Sequence, residues 1–474
     1  MAASATAGAA RSVPDGDWTT FDYDAQRSGI GPAATGITPH NLRTLSRRVV
    51  HLDGTVDSSP IQLHGVSVRG RKRDVIVMTT TYGRTIALDP ATGAKLWEYV
   101  PGDVGAYQGS AQVTTATPVA DRDRYVYAAS PNGRIHKLAV ASGREVRSGH
   151  WPARITFDPA REKIASALNI SGASLVAVTG GYYGDAPPYQ GHVAMIDRVS
   201  GRITRVFNTL CSDHHTLISP SSCGASDSAI WARAGAVIEP ATRRILVATG
   251  NAPFNGVTDW GDSVLELTPD ASRLLHNWTP RNQAQLNASD SDLGSSAPAL
   301  LPETHGLRLA LQGGKDGQLY LLNINQLDGT GAEASARTGG ELQMISAPGG
   351  DQVFTAPAVW THAGRTYTFV ANGSGTAAYV LGGGSHPKLT VAWSNSTAGT
   401  SPIVAGGLLY VYDPSSGTLV IRRPTTGGAL GSLPAASGHW NSPIVLGGRI
   451  IVPVGNYQDH STAGTVYIYH LPGR

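Results

Sequence analysis

The apolar positions of this chain fall in short runs, eight of which follow a glycine in a common pattern. They read Gly83-Arg-Thr-Ile-Ala-Leu-Asp, Gly133-Arg-Ile-His-Lys-Leu-Ala, Gly191-His-Val-Ala-Met-Ile-Asp, Gly261-Asp-Ser-Val-Leu-Glu-Leu, Gly317-Gln-Leu-Tyr-Leu-Leu-Asn, Gly375-Thr-Ala-Ala-Tyr-Val-Leu, Gly417-Thr-Leu-Val-Ile-Arg-Arg and Gly464-Thr-Val-Tyr-Ile-Tyr-His. A second apolar run, rich in β-branched and aromatic residues, precedes most of them, as in Asp74-Val-Ile-Val-Met-Thr and Leu408-Leu-Tyr-Val-Tyr. These compositions suit strands. No 3.6-residue period persists beyond a turn or two, so extended helix is not expected.

Other features recur in phase. A Ser/Thr-Pro opening stands ahead of several units, at Ser59-Pro60, Thr117-Pro118, Ser401-Pro402 and Ser442-Pro443. After the third strand a turn such as Asp89-Pro-Ala-Thr-Gly93 leads to a fourth, which carries Trp97 in the first unit. Asp, Pro and Gly at fixed offsets mark hairpins. Successive glycines lie 42 to 70 residues apart, enough for one four-stranded sheet with its turns. A sandwich does not repeat its own sequence, whereas radial repetition does. The fold class is therefore all-β: a single eight-bladed β-propeller of four-stranded antiparallel blades.

The last unit ends with its third strand, Thr465–His470, while Thr44–His51 belongs to no unit. Pairing the two would remove an exposed edge, so the ring is expected to be closed by the N-terminal strand. Residues 40–474 form the propeller in this reading. Residues 1–39 form a tail and rim clip, with Trp18, Phe21 and Tyr23 docking on the rim. Trp97, Trp278 and Trp393 are assigned to packing between blades.

Composition narrows the function classes. Charged residues are 15 % of the chain and the net charge is +3, spread along its length, which excludes a nucleic-acid footprint. The basic run Arg69–Arg73, between two strand-like stretches, reads as a solvated loop, with a polyanion contact as the alternative. No apolar stretch approaches about 20 residues, so no membrane span is expected. Cys211 and Cys223 sit 12 residues apart in a Ser/Pro-rich loop, and an even count in a loop favours a disulfide and an oxidising compartment. With the Ala/Ser-rich start, this suggests a secreted protein whose export signal has been removed. A monomer is expected.

The unit Gly-x-hydrophobic-x-Ala-Leu-Asp-x-x-Thr-Gly-x-x-x-Trp, clearest at Gly83–Trp97, resembles the repeat of pyrroloquinoline-quinone-type (PQQ-type) propellers over roughly residues 40–474. That family holds alcohol dehydrogenases and also cofactor-free relatives. The resemblance implies a quinone on a Trp beside a Ca²⁺ ion, with an Asp as base and an Arg or Lys on the quinone. Carried over by position, Asn251 in Ala248-Thr-Gly-Asn matches the calcium Asn. Lys315 in Gly-Gly-Lys-Asp-Gly matches the cationic contact, and Trp231 falls near the supporting Trp. Asp290 or Asp292 falls in the base segment, Asp292 also serving as a metal ligand. Two departures stand out. There is no vicinal cysteine pair, and the segment of the calcium Glu reads Gly180-Gly-Tyr-Tyr-Gly-Asp185, leaving Asp185 as the substitute oxygen ligand.

Tyr182 and Tyr183 precede a loop near the funnel mouth and suit stacking on a quinone or sugar ring. His214 and His215, inside the cysteine loop, are acid–base or metal candidates. Three readings follow. One is a PQQ- and Ca²⁺-dependent dehydrogenase of an alcohol or sugar hydroxyl. Another is a cofactor-free propeller acting on or binding polysaccharide through Tyr182, Tyr183, His214, His215, His439 and Trp440. The last is a non-catalytic binding scaffold.

Overall fold

The computed structural model describes residues 16–122, 124–328 and 337–473. The Ala-rich start of the chain, from which removal of an export signal was inferred, lies outside them. Eight four-stranded antiparallel sheets make up the molecule. Seven run in simple chain order, at 61–99, 119–154, 169–208, 237–278, 299–346, 358–395 and 403–434. They are blades 1 to 7. Among the described residues the one α-helix is Gln283–Ala288, and none is long and apolar enough to cross a membrane.

Blade 8 is composite. Its strands Ile444–Leu446, Arg449–Val454 and Gly464–His470 take Ser46–Leu52 as their outermost member, in register from Ser46↔His470 to Leu52↔Gly464. The expected closure is thus formed. It joins the two ends of the ring through a full antiparallel ladder.

The apolar runs are continuous rather than alternating for a physical reason. A middle strand of a blade has a neighbouring blade on each face, so Thr85–Leu88, Ile245–Ala248 and Leu408–Asp413 are buried at every position. Outer strands meet solvent, and Lys388–Asn395 is mostly exposed. The tryptophans sit between blades as expected. Trp97 Nε1 donates to the Val140 carbonyl of the next blade at 2.8 Å, and its ring lies on Gly143. Gly143 has φ +69° and a Cβ there would stand 2.5 Å from the indole, so both conformation and space exclude a side chain. Trp393 Nε1 repeats the bond to Pro424 O at 2.7 Å, and Trp278 packs on Tyr320 of the next blade at 4.8 Å.

The recurrent Ser/Thr openings also find their cause. Around the axis they bond one blade to the next: Thr117 Oγ1 accepts from Ser59 N, Thr114 and Thr115 hydroxyls donate to Ile164 and Ala165 carbonyls, and Ser166 donates to Ile230 O. Ser296 donates to Thr355 O, and Ser401 Oγ accepts from Ala356 N. The innermost strands are short and crowded at the axis, so hydroxyls satisfy carbonyls that no sheet ladder reaches.

Residues 17–35 cross the ring at the far ends of these innermost strands. Their backbone pairs with Gln62 of blade 1 through Trp18, with Ala120 of blade 2 through Thr19, and with Ile238 of blade 4 through Ala25. Ser28 reaches Val359 of blade 6, Gly29 and Gly31 bracket Val404 of blade 7, and Thr35 accepts from Gly448 of blade 8. At the centre, buried Arg27 donates to the carbonyls of Phe21, Ala167, Leu168 and Ala234 and to Thr20 Oγ1. This segment thus forms a floor across the ring.

Candidate functional site

Opposite that floor, the segments that open the innermost strands and the loops between second and third strands converge on a cavity of about 570 Å³. Trp231 opens blade 4, Phe354 opens blade 6, and Trp440 opens blade 8. Their rings form one cluster, with centroids 5.8 Å (Trp231–Phe354), 5.9 Å (Trp231–Trp440) and 5.3 Å (Phe354–Trp440) apart. Three flat faces from three blades meet because the openings point at the axis.

On one side of Trp231 stands a charged group. Asp292, just ahead of blade 5, accepts the Asn251 N–H on Oδ1 at 2.7 Å and pairs through Oδ2 with Lys315. Lys315 also reaches Asp290 Oδ1 at 3.3 Å and lies 5.5 Å from the Trp231 ring centroid. Gly250 makes room for this arrangement, since a Cβ there would stand 2.3 Å from Asp292 Oδ1. Burial raises the pKa of Asp292, with Lys315 opposing. Burial works against the Lys315 ammonium, yet Asp292 and Asp290 outweigh it and hold its pKa above the usual lysine value. Beside them, Asp262 is fully buried. Burial lifts its carboxyl to about 8, the Leu293 N–H opposing and the Asp292 charge adding to the rise. The folded state therefore binds a proton on Asp262 that the unfolded chain releases near its ordinary value, so stability falls as pH rises from about 4 to about 8. Asp262→Asn is expected to raise the unfolding temperature at pH 8, the gain closing by pH 4; calorimetry at the two pH values checks this.

On the other side the wall is cationic. Lys163 and Arg233 are 5 % and 4 % exposed. Arg233 donates to Asp57 O at 2.5 Å, stands 3.9 Å from Asp57 Oδ1 and lies over Trp440. Asp57 is claimed by other groups as well: His439 Nδ1 lies 2.7 Å from its Oδ2, and the Tyr457 N–H donates to that atom. Burial alone would raise Asp57, but His439, Arg233 and the Tyr457 N–H hold it below the usual carboxylate range.

The structure thus brings Trp231, Asn251, Asp290, Asp292 and Lys315 to one wall of the cavity, with Tyr182, Tyr183 and Asp185 at its mouth. Tyr183 is 83 % exposed, Tyr182 donates to Pro159 O, and Asp185 Oδ1 accepts the Tyr189 hydroxyl. His214 and His215 are not brought there. Cys211 and Cys223 are disulfide-bonded, and that loop holds both histidines exposed against the outer strand of blade 3, where Asn208 Nδ2 donates to His214 O. Lys163, Arg233, Asp57, Phe354 and Tyr457 escaped the sequence reading. A usable signal existed for the first two: a cation leading into or set within a run of small and apolar residues, as in Lys163-Ile-Ala-Ser-Ala and Trp231-Ala-Arg233-Ala.

The cofactor set implied by the repeat fits in part. Trp231 with Lys315 beside it offers a flat face and a cation, which suits a planar quinone. The oxygen donors do not suit calcium, which takes six to eight. Asp185 Oδ1 is engaged by the Tyr189 hydroxyl, and among the described residues no group of three or more His, Cys, Asp or Glu side chains is placed to hold a metal.

Residues 46–206 match the family model described as outer membrane protein assembly factor BamB, a PQQ-type repeat. No curated protein matches the chain by sequence. Among solved structures, the chain is similar to quinohemoprotein alcohol dehydrogenase from Comamonas testosteroni, with TM-score 0.69 and 16 % identity over 97 % of this chain and 81 % of that one. It is also similar to a europium-containing methanol dehydrogenase (TM-score 0.67, 15 % identity, 96 % and 98 % covered). BamB from Moraxella catarrhalis follows at TM-score 0.53 and 12 % identity, with 91 % and 98 % covered. At these identities the likeness concerns the fold alone, the eight-bladed β-propeller.

Proposed function

We propose that this PQQ-type propeller is an exported oxidoreductase of the quinoprotein kind, acting on the hydroxyl of a small alcohol or sugar. One observation carries the reading: Asp292 is held between the Asn251 N–H and the Lys315 ammonium, beside the ring of Trp231. A bound quinone would supply the two-electron acceptor. The remaining tasks fall to the chain. Asp292 takes the proton of the substrate hydroxyl, its basicity raised by burial. Lys315 offers its ammonium to an electron-rich oxygen, and Trp231 supports a flat ring. No step is assigned to a metal. The Cys211–Cys223 bond supports an oxidising compartment.

The test is reconstitution of the purified full chain with pyrroloquinoline quinone, with and without Ca²⁺, followed by dye reduction with alcohols and aldoses. Turnover independent of Ca²⁺ is the expected result. Absence of turnover under both conditions would end the reading. A binding scaffold is the second reading, supported by the resemblance to assembly factor BamB.

A further inference from the structure

The Lys163 ammonium has no hydrogen-bond acceptor or carboxylate within ion-pair distance among the described residues. It lies over the Tyr457 ring, 4.1 Å from the centroid. Arg233 is as deeply buried, and its Nε has no hydrogen-bond partner among the described residues. Both cations line the cavity. The carboxylate between them, Asp57, is shared with His439 and two backbone N–H groups, those of Tyr457 and Trp440. Asp22 faces Arg233 from the floor, but burial raises its pKa strongly, which favours the uncharged form. One committed anion therefore faces two buried cations. Buried charges are expensive unless paired, and a cation aimed into a cavity without a partner is a place where a ligand anion completes the pairing.

The ring surfaces define the rest of that ligand. Trp440 is stacked by His439 at 4.1 Å and by Phe354 at 5.3 Å, and Tyr457 closes the corner with its ring 5.4 Å from His439. These rings wall the cavity beside the two cations, so an acid that carries a ring meets an aromatic wall there with its carboxylate toward the cations.

We propose that Lys163 and Arg233 form a carboxylate-binding subsite that takes a ring-bearing acid lying against Trp440 and Tyr457. The subsite goes beyond the oxidation proposed above, because binding there is read without turnover. The ligand this chemistry fits is an acidic sugar, its ring beside the aromatic wall and its carboxylate toward the two cations. Burial lowers the Lys163 pKa to about 7, with Asp57 opposing and Arg233 adding to the fall. Anion affinity is therefore highest below about pH 7 and weakens as the ammonium loses its proton above it.

The probe is 2-naphthoate, titrated into the full chain by calorimetry, with the neutral 2-naphthamide as control. The acid is expected to bind and the amide to bind at least about tenfold more weakly, as for a charge-assisted contact. Affinity should fall from pH 6 to pH 9 in the parent chain. Lys163→Arg is expected to keep binding and to flatten that pH dependence, and Lys163→Met to lose at least about tenfold. Lys163→Met should also raise the unfolding temperature, more at pH 6 than at pH 9, since it removes an unpaired buried charge. Displacement of naphthoate by galacturonate is the expected result, and displacement by the quinone but not by galacturonate overturns the proposal. Equal binding of acid and amide, or unchanged affinity in Lys163→Met, overturns the subsite. If the quinone gives no turnover but naphthoate binds as described, the oxidoreductase reading fails and the subsite stands.

Discussion

Arg27→Met is expected to lower stability by about 3–5 kcal/mol, the usual consequence of breaking a buried polar network from one side. Arg27 supplies five hydrogen bonds, four to backbone carbonyls drawn from the floor segment and from blades 3 and 4. Burial pulls its pKa down to about 10, with Asp22 and Asp24 opposing. A methionine fills the space but leaves those carbonyls without donors in a place water does not reach. Arg27→Lys keeps a charge and part of the network, so it should fall between. Guanidinium unfolding followed by tryptophan fluorescence measures both; a loss under about 1 kcal/mol for the methionine variant would show that the floor is not held by this residue.

Asp292→Asn is expected to reduce kcat by about 10²–10⁴-fold in the dye-linked assay, the range a general base contributes. The amide oxygen still accepts from Asn251 N and still fits over Gly250, so KM should change little. What disappears is the charge opposite Lys315 and the site that takes the proton. Because burial raises the Asp292 pKa, the acid limb of the parent pH–rate profile should lie above the ordinary carboxylate range. A variant that keeps kcat within about threefold would remove Asp292 from the chemistry.

The architecture was legible because each blade writes the same constraints into the chain. Glycine turns, apolar middle strands and hydroxyl openings answer to neighbours that recur with the repeat. Even ring closure followed from counting strands, since one unit lacked a member and one strand lacked a unit. The site was legible only where it coincided with the repeat's own landmarks. Asn251, Asp292 and Lys315 stand at strand ends that every blade has, so position alone carried them to the cavity. Lys163, Arg233 and Asp57 are departures of particular blades from the repeat. They become neighbours only when blades 1, 3, 4 and 8 are drawn around one axis. His214 and His215 looked promising for their chemistry, but their loop is tethered to the outside of blade 3, the edge farthest from that axis. The sequence carries the residue type; distance from the axis decides its use.

The ladder between Ser46–Leu52 and Gly464–His470 sets a timetable for the nascent molecule. The first strand leaves the ribosome about 400 residues before its partner exists. Until then it is an unpaired edge, open to other chains. So remote a contact makes the last step of assembly slow. Chaperone dependence and interchain strand exchange during synthesis are the natural hazards of a circle fastened by its two extremities.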